Sequence, residues 1–415
     1  MAKEITIWSN SNVFWDWQKA NLAPFTQQTG IKVNYTQIPD ASIIDKTALA
    51  QRSKSDEFAM YEGPTSLIAQ DVQLTGGGTD LKPYVDNTSL TGSDFNFSDF
   101  AKGGIKDCTF KGTLHCLPVF VDGGVLAVNK KLLSQAGVTK SPTTWAETIA
   151  AADAVTQKTG TPGWCTRGSQ AGAAIATANQ MLSYYIPFNA SNQGFFVDQN
   201  YKSLLDSPGA VQWANDYQHL MTKDAPKGIG TYTLTNCQND FDQGKVAMMW
   251  DGIVVFNKNE LSPAAGSPLA GNVDFVEPSC PGSDPCVATG PWGMFLNPRA
   301  SKPQQAAAWK LMQYLSSPKV LTDQITATGV PALAVRNSTT EQTFPGVPAS
   351  VLTALKWVGA NSVPNPFPPS SVFNESQDAY QTSISQIVAG KDVNAAMKAA
   401  ADGQNQVFKQ AGLQN

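Results

Sequence analysis

Histidine is nearly missing from this chain. Its 415 residues include only His115 and His219. A zinc site built mainly of imidazoles, or a triad with a tuned imidazole, has almost no raw material. Charge is sparse too: Asp, Glu, Lys and Arg make up 15 %, against roughly a quarter in ordinary globular proteins. With a net charge of −4, the chain has no basic surplus to neutralise phosphates, which excludes a nucleic-acid binder. No apolar run approaches the roughly 18 to 20 residues of a membrane-spanning helix. There is no CxxC, so neither a zinc ribbon nor a thioredoxin-type site is indicated. Gly76-Gly77-Gly78 is a flexible turn, not a phosphate loop, because no Lys-Ser or Lys-Thr follows and the spacing does not fit GxGxxG. Neither an internal repeat nor a low-complexity tail is visible. The expectation is a protein with no cofactor and no metal.

What is present is a large apolar fraction, 42 %, enough for more than one core at a length that suits two or three domains. Six cysteines are present, an even number. Cys108 and Cys116 flank Lys111-Gly112, a hairpin signal. Cys280 and Cys286 flank a loop rich in Pro and Gly. Both pairs can close to disulfide distance, which leaves Cys165 and Cys237 for each other. Three disulfides and an oxidising compartment are predicted, with reduced, buried thiols as the alternative. The opening Met-Ala-Lys-Glu lacks the features of a signal peptide and runs at once into a strand. In a disulfide-bonded protein that reads as an export signal already removed, and a lipid-bearing cysteine removed with it is not readable.

Strand and helix alternate from the start. Residues 3–8 read as a strand, 12–28 as a helix capped by Asn12, 31–38 as a strand, 41–52 as a helix, 58–61 as a strand, and 66–72 as a helix capped by Thr65. This is the signature of an α/β domain with a largely parallel sheet. Two long β-type runs are interrupted: 117–129 by Asp122-Gly123-Gly124, and 287–297 by Gly290-Pro291-Trp292-Gly293. Glycines inside a strand weaken its packing and permit a bend. Further helices are predicted at 130–135, from Thr143 or Thr144 to about 157, and at 169–186, 208–222, 302–315, 374–389 and 392–410, with a strand at 245–250.

Four ordered stretches resemble one family. They are Ile5-Thr6-Ile7-Trp8 with Thr29-Gly30-Ile31-Lys32-Val33; Gly124 to Leu133 with Pro142-Thr143-Thr144-Trp145; Phe241 to Gly252; and Gly290 to Asn297, followed by 306–315, Ser317-Pro318 and Gly329-Val330-Pro331-Ala332. The set is similar to the extracellular solute-binding proteins of ABC importers, the carbohydrate-type group that includes maltose-binding protein. That resemblance implies an α/β, two-lobed periplasmic-binding-protein fold with a cleft and several hinge crossovers. The implied lobes are 1–121 with 293–334, and 122–292 with 335–415. It also implies a monomer outside the cytoplasm, with a sugar or polyol as ligand, an ABC permease as partner and no enzymatic activity.

Ligands of open α/β sheets bind beyond the carboxyl ends of the strands. That rule selects Asn10 and Asn12 after the first strand, Glu62 after the strand at 58–61, and Asp251 beside Trp250. It also selects Asp122, Gly290 and Trp292 at the interrupted runs. Trp15, on the early helix, is the better ligand candidate than Trp17, which fits the apolar stripe. Trp164 and Arg167 flank Cys165, and Arg336 follows Pro331-Ala332. A sugar packs its C–H face on a ring while its hydroxyls need partners, and a carboxylate accepts strong charge-assisted bonds from them. Each candidate has a plainer alternative: core packing for the tryptophans, caps or ion pairs for Glu62, Asp251 and Arg336, turn formation for Asn10, Asn12 and Asp122. The competing functions are a polyamine or phosphorylated-polyol binder of the same fold and, more remotely, a glycan-cleaving enzyme with two carboxylates about 5 to 9.5 Å apart.

Overall fold

A computed structural model describes the chain except for residues 12, 171–173, 187, 189–191, 195, 283–284, 330–334, 341–348, 364–369, 371 and 415. It divides into two compact units. The first comprises Met1–Asp122, Gly290–Pro345 and Pro369–Ser371; the second comprises Gly123–Thr289, Gly346–Pro368 and Val372–Asn415.

The first unit holds β1 (Glu4–Ser9), β2 (Lys32–Gln37) and β3 (Met60–Pro64), and a small hairpin of β4 (Thr109–Phe110) and β5 (Thr113–Leu114). Strand β6 (Cys116–Asn129) then runs into the second unit. That unit adds β7 (Asn192–Gly194), β8 (Val197–Asp198), β9 (Met248–Gly252) and β10 (Val273–Val276). Strand β11 (Val287–Leu296) returns to the first unit, and β12 (Ser362–Val363) pairs with its start. In the first unit β1 lies parallel to both β2 and β3, and the end of β11 joins β3 antiparallel, with Trp292 opposite Pro64. In the second unit β9 and β10 each pair antiparallel with β6. The mixed α/β class expected from the alternating pattern is what the chain adopts.

Local sequence explains most elements. Thr144 caps the helix Trp145–Thr159 by accepting from the Glu147 N–H, and Gly160 ends it in the left-handed region, φ 70°. Ser301 and Gln304 form a reciprocal capping box on the helix Lys302–Leu315, whose buried face carries Ala308, Trp309, Leu311, Met312 and Leu315. The turn of the β4–β5 hairpin has positive φ at both Lys111 and Gly112, the geometry whose twist suits two strands. Disulfides join Cys108–Cys116, Cys165–Cys237 and Cys280–Cys286, with Cα separations of 4.9, 5.8 and 5.5 Å.

Three expectations need correction. The long early helix is two, Val13–Ala20 and Ala23–Thr29. Pro24 lies in the first turn of the second, where its missing N–H costs nothing, and would break the interior of a continuous helix. Thr65 does not cap a helix through its side chain; its hydroxyl donates to the Pro291 carbonyl at 3.2 Å. The glycines at the interruptions do not break the strands, since β6 and β11 run continuously through them. They make room. A Cβ on Gly124 would collide with the Trp250 ring, one on Gly123 would lie 2.6 Å from a Val358 methyl, and one on Gly293 would strike Cys116 Sγ. The cap assigned to Asn12 falls outside the described residues.

Candidate functional site

In the first unit, β1 and β3 are neighbours, so their carboxyl ends bring Ser9, Asn10 and Glu62 together. Glu62 is fully buried, and burial raises its carboxyl to about 7; the Tyr35, Ser9, Trp15 and Gln18 side chains oppose that rise. Tyr35, from β2, has its phenol oxygen 3.2 Å from the Glu62 carboxyl and 2.9 Å from Ser9 Oγ. With its amide turned to donate, Gln18 reaches both Glu62 oxygens, at 3.2 and 3.3 Å, and the Tyr35 oxygen at 2.8 Å. Burial, and next the Glu62 charge, hold the Tyr35 phenol well above its ordinary value. Tyr35 therefore stays a neutral donor. Asn10 is buried, and its side-chain oxygen accepts from the Ser11 N–H at 2.7 Å.

Beside this polar group stands an aromatic cluster. Trp15 and Trp292 have ring centroids 4.9 Å apart. Phe120 stacks on Trp292 at 5.9 Å and meets Trp15 edge-on at 5.4 Å. Trp15 is almost wholly buried, whereas Trp292 is half-buried. Against the sequence pattern, Trp17 is the less buried of the two early tryptophans. In the helix Val13–Ala20 the buried side carries Phe14, Trp15 and Gln18, and Trp17 lies off it. Gly290 is half-buried, with open space where a Cβ would be, and Asp122 is half-buried on β6.

In the second unit, Arg167 and Asp251 form a forked ion pair. Nε donates to Oδ2 and Nη2 to Oδ1, both at 2.8 Å. Asp251 is buried and also accepts from the Gly252 N–H at 2.8 Å. The pair is positioned by the segment around Cys165, which bridges to Met249 of β9 and is bonded to Cys237. Trp250 and Trp164 serve the core. Trp250 donates its indole N–H to the Thr177 carbonyl at 3.2 Å, and Trp145 meets both rings edge-on, at 4.9 and 6.1 Å.

Arg336 joins neither group. It is fully buried in the first unit, over the Phe95 and Phe100 rings at 5.2 and 4.0 Å. It donates to the Ser316 and Asn96 carbonyls and pairs with Asp99. Its guanidinium serves the fold. Tyr35, Gln18 and Phe120 are the members that sequence reasoning passed over. A strand tyrosine and a polar helix residue carry no local mark; only the parallel pairing of β1 and β2, which sets Tyr35 opposite Ile7, brings the phenol to Glu62.

With this geometry in place, comparison with known proteins gives a clear result. Residues 12–321 match the family model described as bacterial extracellular solute-binding protein. The chain belongs to that family. Membership places it outside the cytoplasm, among binding proteins. The erythritol/L-threitol-binding protein of Mycolicibacterium smegmatis is 25 % identical over 404 residues, covering 92 % of this chain and 80 % of the relative. Two solved solute-binding proteins share the fold. One, from Agrobacterium radiobacter K84, was crystallised with ribitol: 24 % identity, TM-score 0.82, covering 97 % of this chain and 98 % of that one. The other, from Agrobacterium vitis S4, was crystallised with D-mannitol: 20 % identity, TM-score 0.83, covering 99 % of each chain.

Proposed function

We propose that this solute-binding protein captures a polyol or small sugar outside the cytoplasm and delivers it to an ABC permease, without chemical turnover. The two compact units act as its N- and C-terminal lobes, and the native protein is a monomer in the periplasm or held at the cell surface. The observation that carries the ligand class is the Glu62 group. A carboxyl, a phenol and an amide are already hydrogen-bonded to one another beside Trp15, whose ring packs on the half-buried Trp292. Hydroxyls of a polyol can exchange into that network as donors and acceptors while the carbon chain lies on Trp292. Relatives that bind erythritol or threitol, ribitol and mannitol support the same class.

Asn10, Trp15, Glu62, Gly290 and Trp292 form the contact set in the first unit. Asp122 remains a candidate with them, and so does Asn12, which lies outside the described residues. In the second unit Asp251 and Arg167 are the candidates, with Trp164 and Trp250 behind them as framework. A polyamine fits less well. It needs ionised carboxylates, but Glu62 is held near 7 and Asp251 already has a cation. A phosphate ester fits less well too, because the Arg336 and Arg167 guanidinium groups are engaged by the protein.

The test is native mass spectrometry for co-purified ligand, then a thermal-shift panel of erythritol, ribitol, mannitol, maltose and spermidine. A ligand at a hundredfold excess over its Kd stabilises the native state by about 2.7 kcal/mol. We expect a polyol or sugar to give the largest shift and Trp292→Ala to remove most of it. An unchanged shift in that variant, or a response to spermidine alone, refutes the reading.

A further inference from the structure

The second unit carries a feature that polyol capture does not use. Asp153 lies on the helix Trp145–Thr159. His219 ends the helix Pro208–His219, and Asp224 closes the π-helical turn Leu220–Asp224 that follows it. Their donor atoms all fall within 4.8 Å of one another. His219 Nε2 is 2.9 Å from Asp153 Oδ1 and 3.5 Å from Asp224 Oδ2. Tetrahedral zinc with bonds near 2.0 to 2.1 Å sets its ligand atoms roughly 3.3 Å apart, so little movement is needed. A π-turn is an uncommon element that recurs at functional sites, and here it brings Asp224 round to face the end of the preceding helix.

A second observation points to a ligand. The Asp224 side chain is 1 % exposed, yet its Oδ2 accepts no hydrogen bond. Its nearest cationic partner is His219 Nε2, at 3.5 Å, and a buried carboxylate oxygen with no hydrogen bond is costly. The supporting shell is built: the Asp224 carbonyl accepts from the Trp164 N–H at 3.1 Å, and the Thr156 hydroxyl bonds the Asp224 carboxyl. The first fixes the Asp224 backbone; the second is the kind of outer contact that orients a metal-ligating carboxylate. Asp153 and His219 are 33 % and 40 % exposed, so an ion can enter from solvent.

We propose that Asp153, His219 and Asp224 form a binding site for a divalent ion of the zinc class, with water as the fourth ligand, which ties the helix Trp145–Thr159 to the end of the helix Pro208–His219. One nitrogen and two carboxylate oxygens suit zinc, cobalt or nickel. They are too few for calcium, which takes six to eight oxygens, and magnesium keeps oxygen and water instead. On binding, the ion displaces the hydrogen bond between His219 and Asp153.

The experiment uses tag-free, chelator-stripped protein with its disulfides intact. Zinc is titrated by calorimetry and cobalt by visible absorption. We expect one saturable equivalent, an intense tetrahedral cobalt band, and a Tm that climbs with zinc concentration. His219→Gln and Asp153→Asn, both at partly exposed positions, each weaken binding roughly tenfold or more. His115→Gln, which alters the other histidine, leaves binding unchanged. No saturable binding, or full binding by His219→Gln, overturns the proposal. The polyol response is read separately, so failure of one does not imply failure of the other.

Discussion

The Arg167–Asp251 pair offers a sharp test of how the second unit is held together. Both side chains are buried, at 8 % and 1 % exposure, and both fork bonds are 2.8 Å long. Replacing Arg167 by Met keeps most of the apolar volume but strands the Asp251 carboxylate, with the Gly252 N–H among its remaining partners. Breaking a buried pair in this way costs about 3–5 kcal/mol, because an uncompensated charge stays in a low-dielectric site. For a folding unit of this size about 1 kcal/mol moves Tm by roughly 2–4 °C, so Arg167→Met lowers the second unit's transition by roughly 6–20 °C. Asp251→Asn strands the guanidinium instead and is of similar cost. The double variant removes both charges and retains an acceptor for the Gly252 N–H, so it is less destabilised than the two single losses combined. Urea and thermal unfolding of the four proteins, without ligand, give the cycle. Additivity to within about 0.5 kcal/mol refutes the claim that these charges compensate each other. Arg167→Lys is predicted to fall well short of wild type, since an ammonium cannot make both fork bonds.

Three further predictions concern Glu62, β6 and β11. The folded-state value of Glu62, about 7, lies above its ordinary 4.5, so the folded chain holds the extra proton between those values. Stability therefore falls as pH rises from about 4.5 to 7 and is flat beyond, a loss of about 3 kcal/mol from this group. Glu62→Gln should flatten that slope and be relatively more stable at pH 8 in a denaturant series; an unaltered slope counts against the burial argument. Gly124→Ala should cost about 1–3 kcal/mol by overpacking, because the Trp250 ring in its way is pinned by Trp145 and by its bond to Thr177. Gly290→Ala, with open space at the same atom, should be near neutral in the same thermal scans.

Some of the candidate site was legible because its signals are local. Asp251 lies near the C-terminal end of its strand, Glu62 sits within β3 rather than after it as the sequence suggests, and Gly-Pro-Trp-Gly marks Trp292 on sight. The errors arose where a residue's role depends on a distant neighbour. Arg336 reads as a loop cation, but the Phe95–Phe100 segment wraps it. The glycines of β6 read as flexible points, yet they leave room for Trp250 and Val358, far along the chain.

Short-range chemistry, then, is what the sequence by itself determined. Thr144 and Ser301 set helix starts, Lys111-Gly112 set a hairpin, and cysteines six and eight residues apart were close enough to join. These outcomes rest on torsions and hydrogen bonds within a few residues, which the chain carries with it wherever it folds. Tertiary structure alone decided that Tyr35 and Gln18 meet at Glu62, that Asp251 faces Arg167 and that Asp153 meets His219. Those contacts arise from strand register, helix packing and burial. No single segment encodes them, because the charge state and partners of a buried group are set by whatever the rest of the fold places against it.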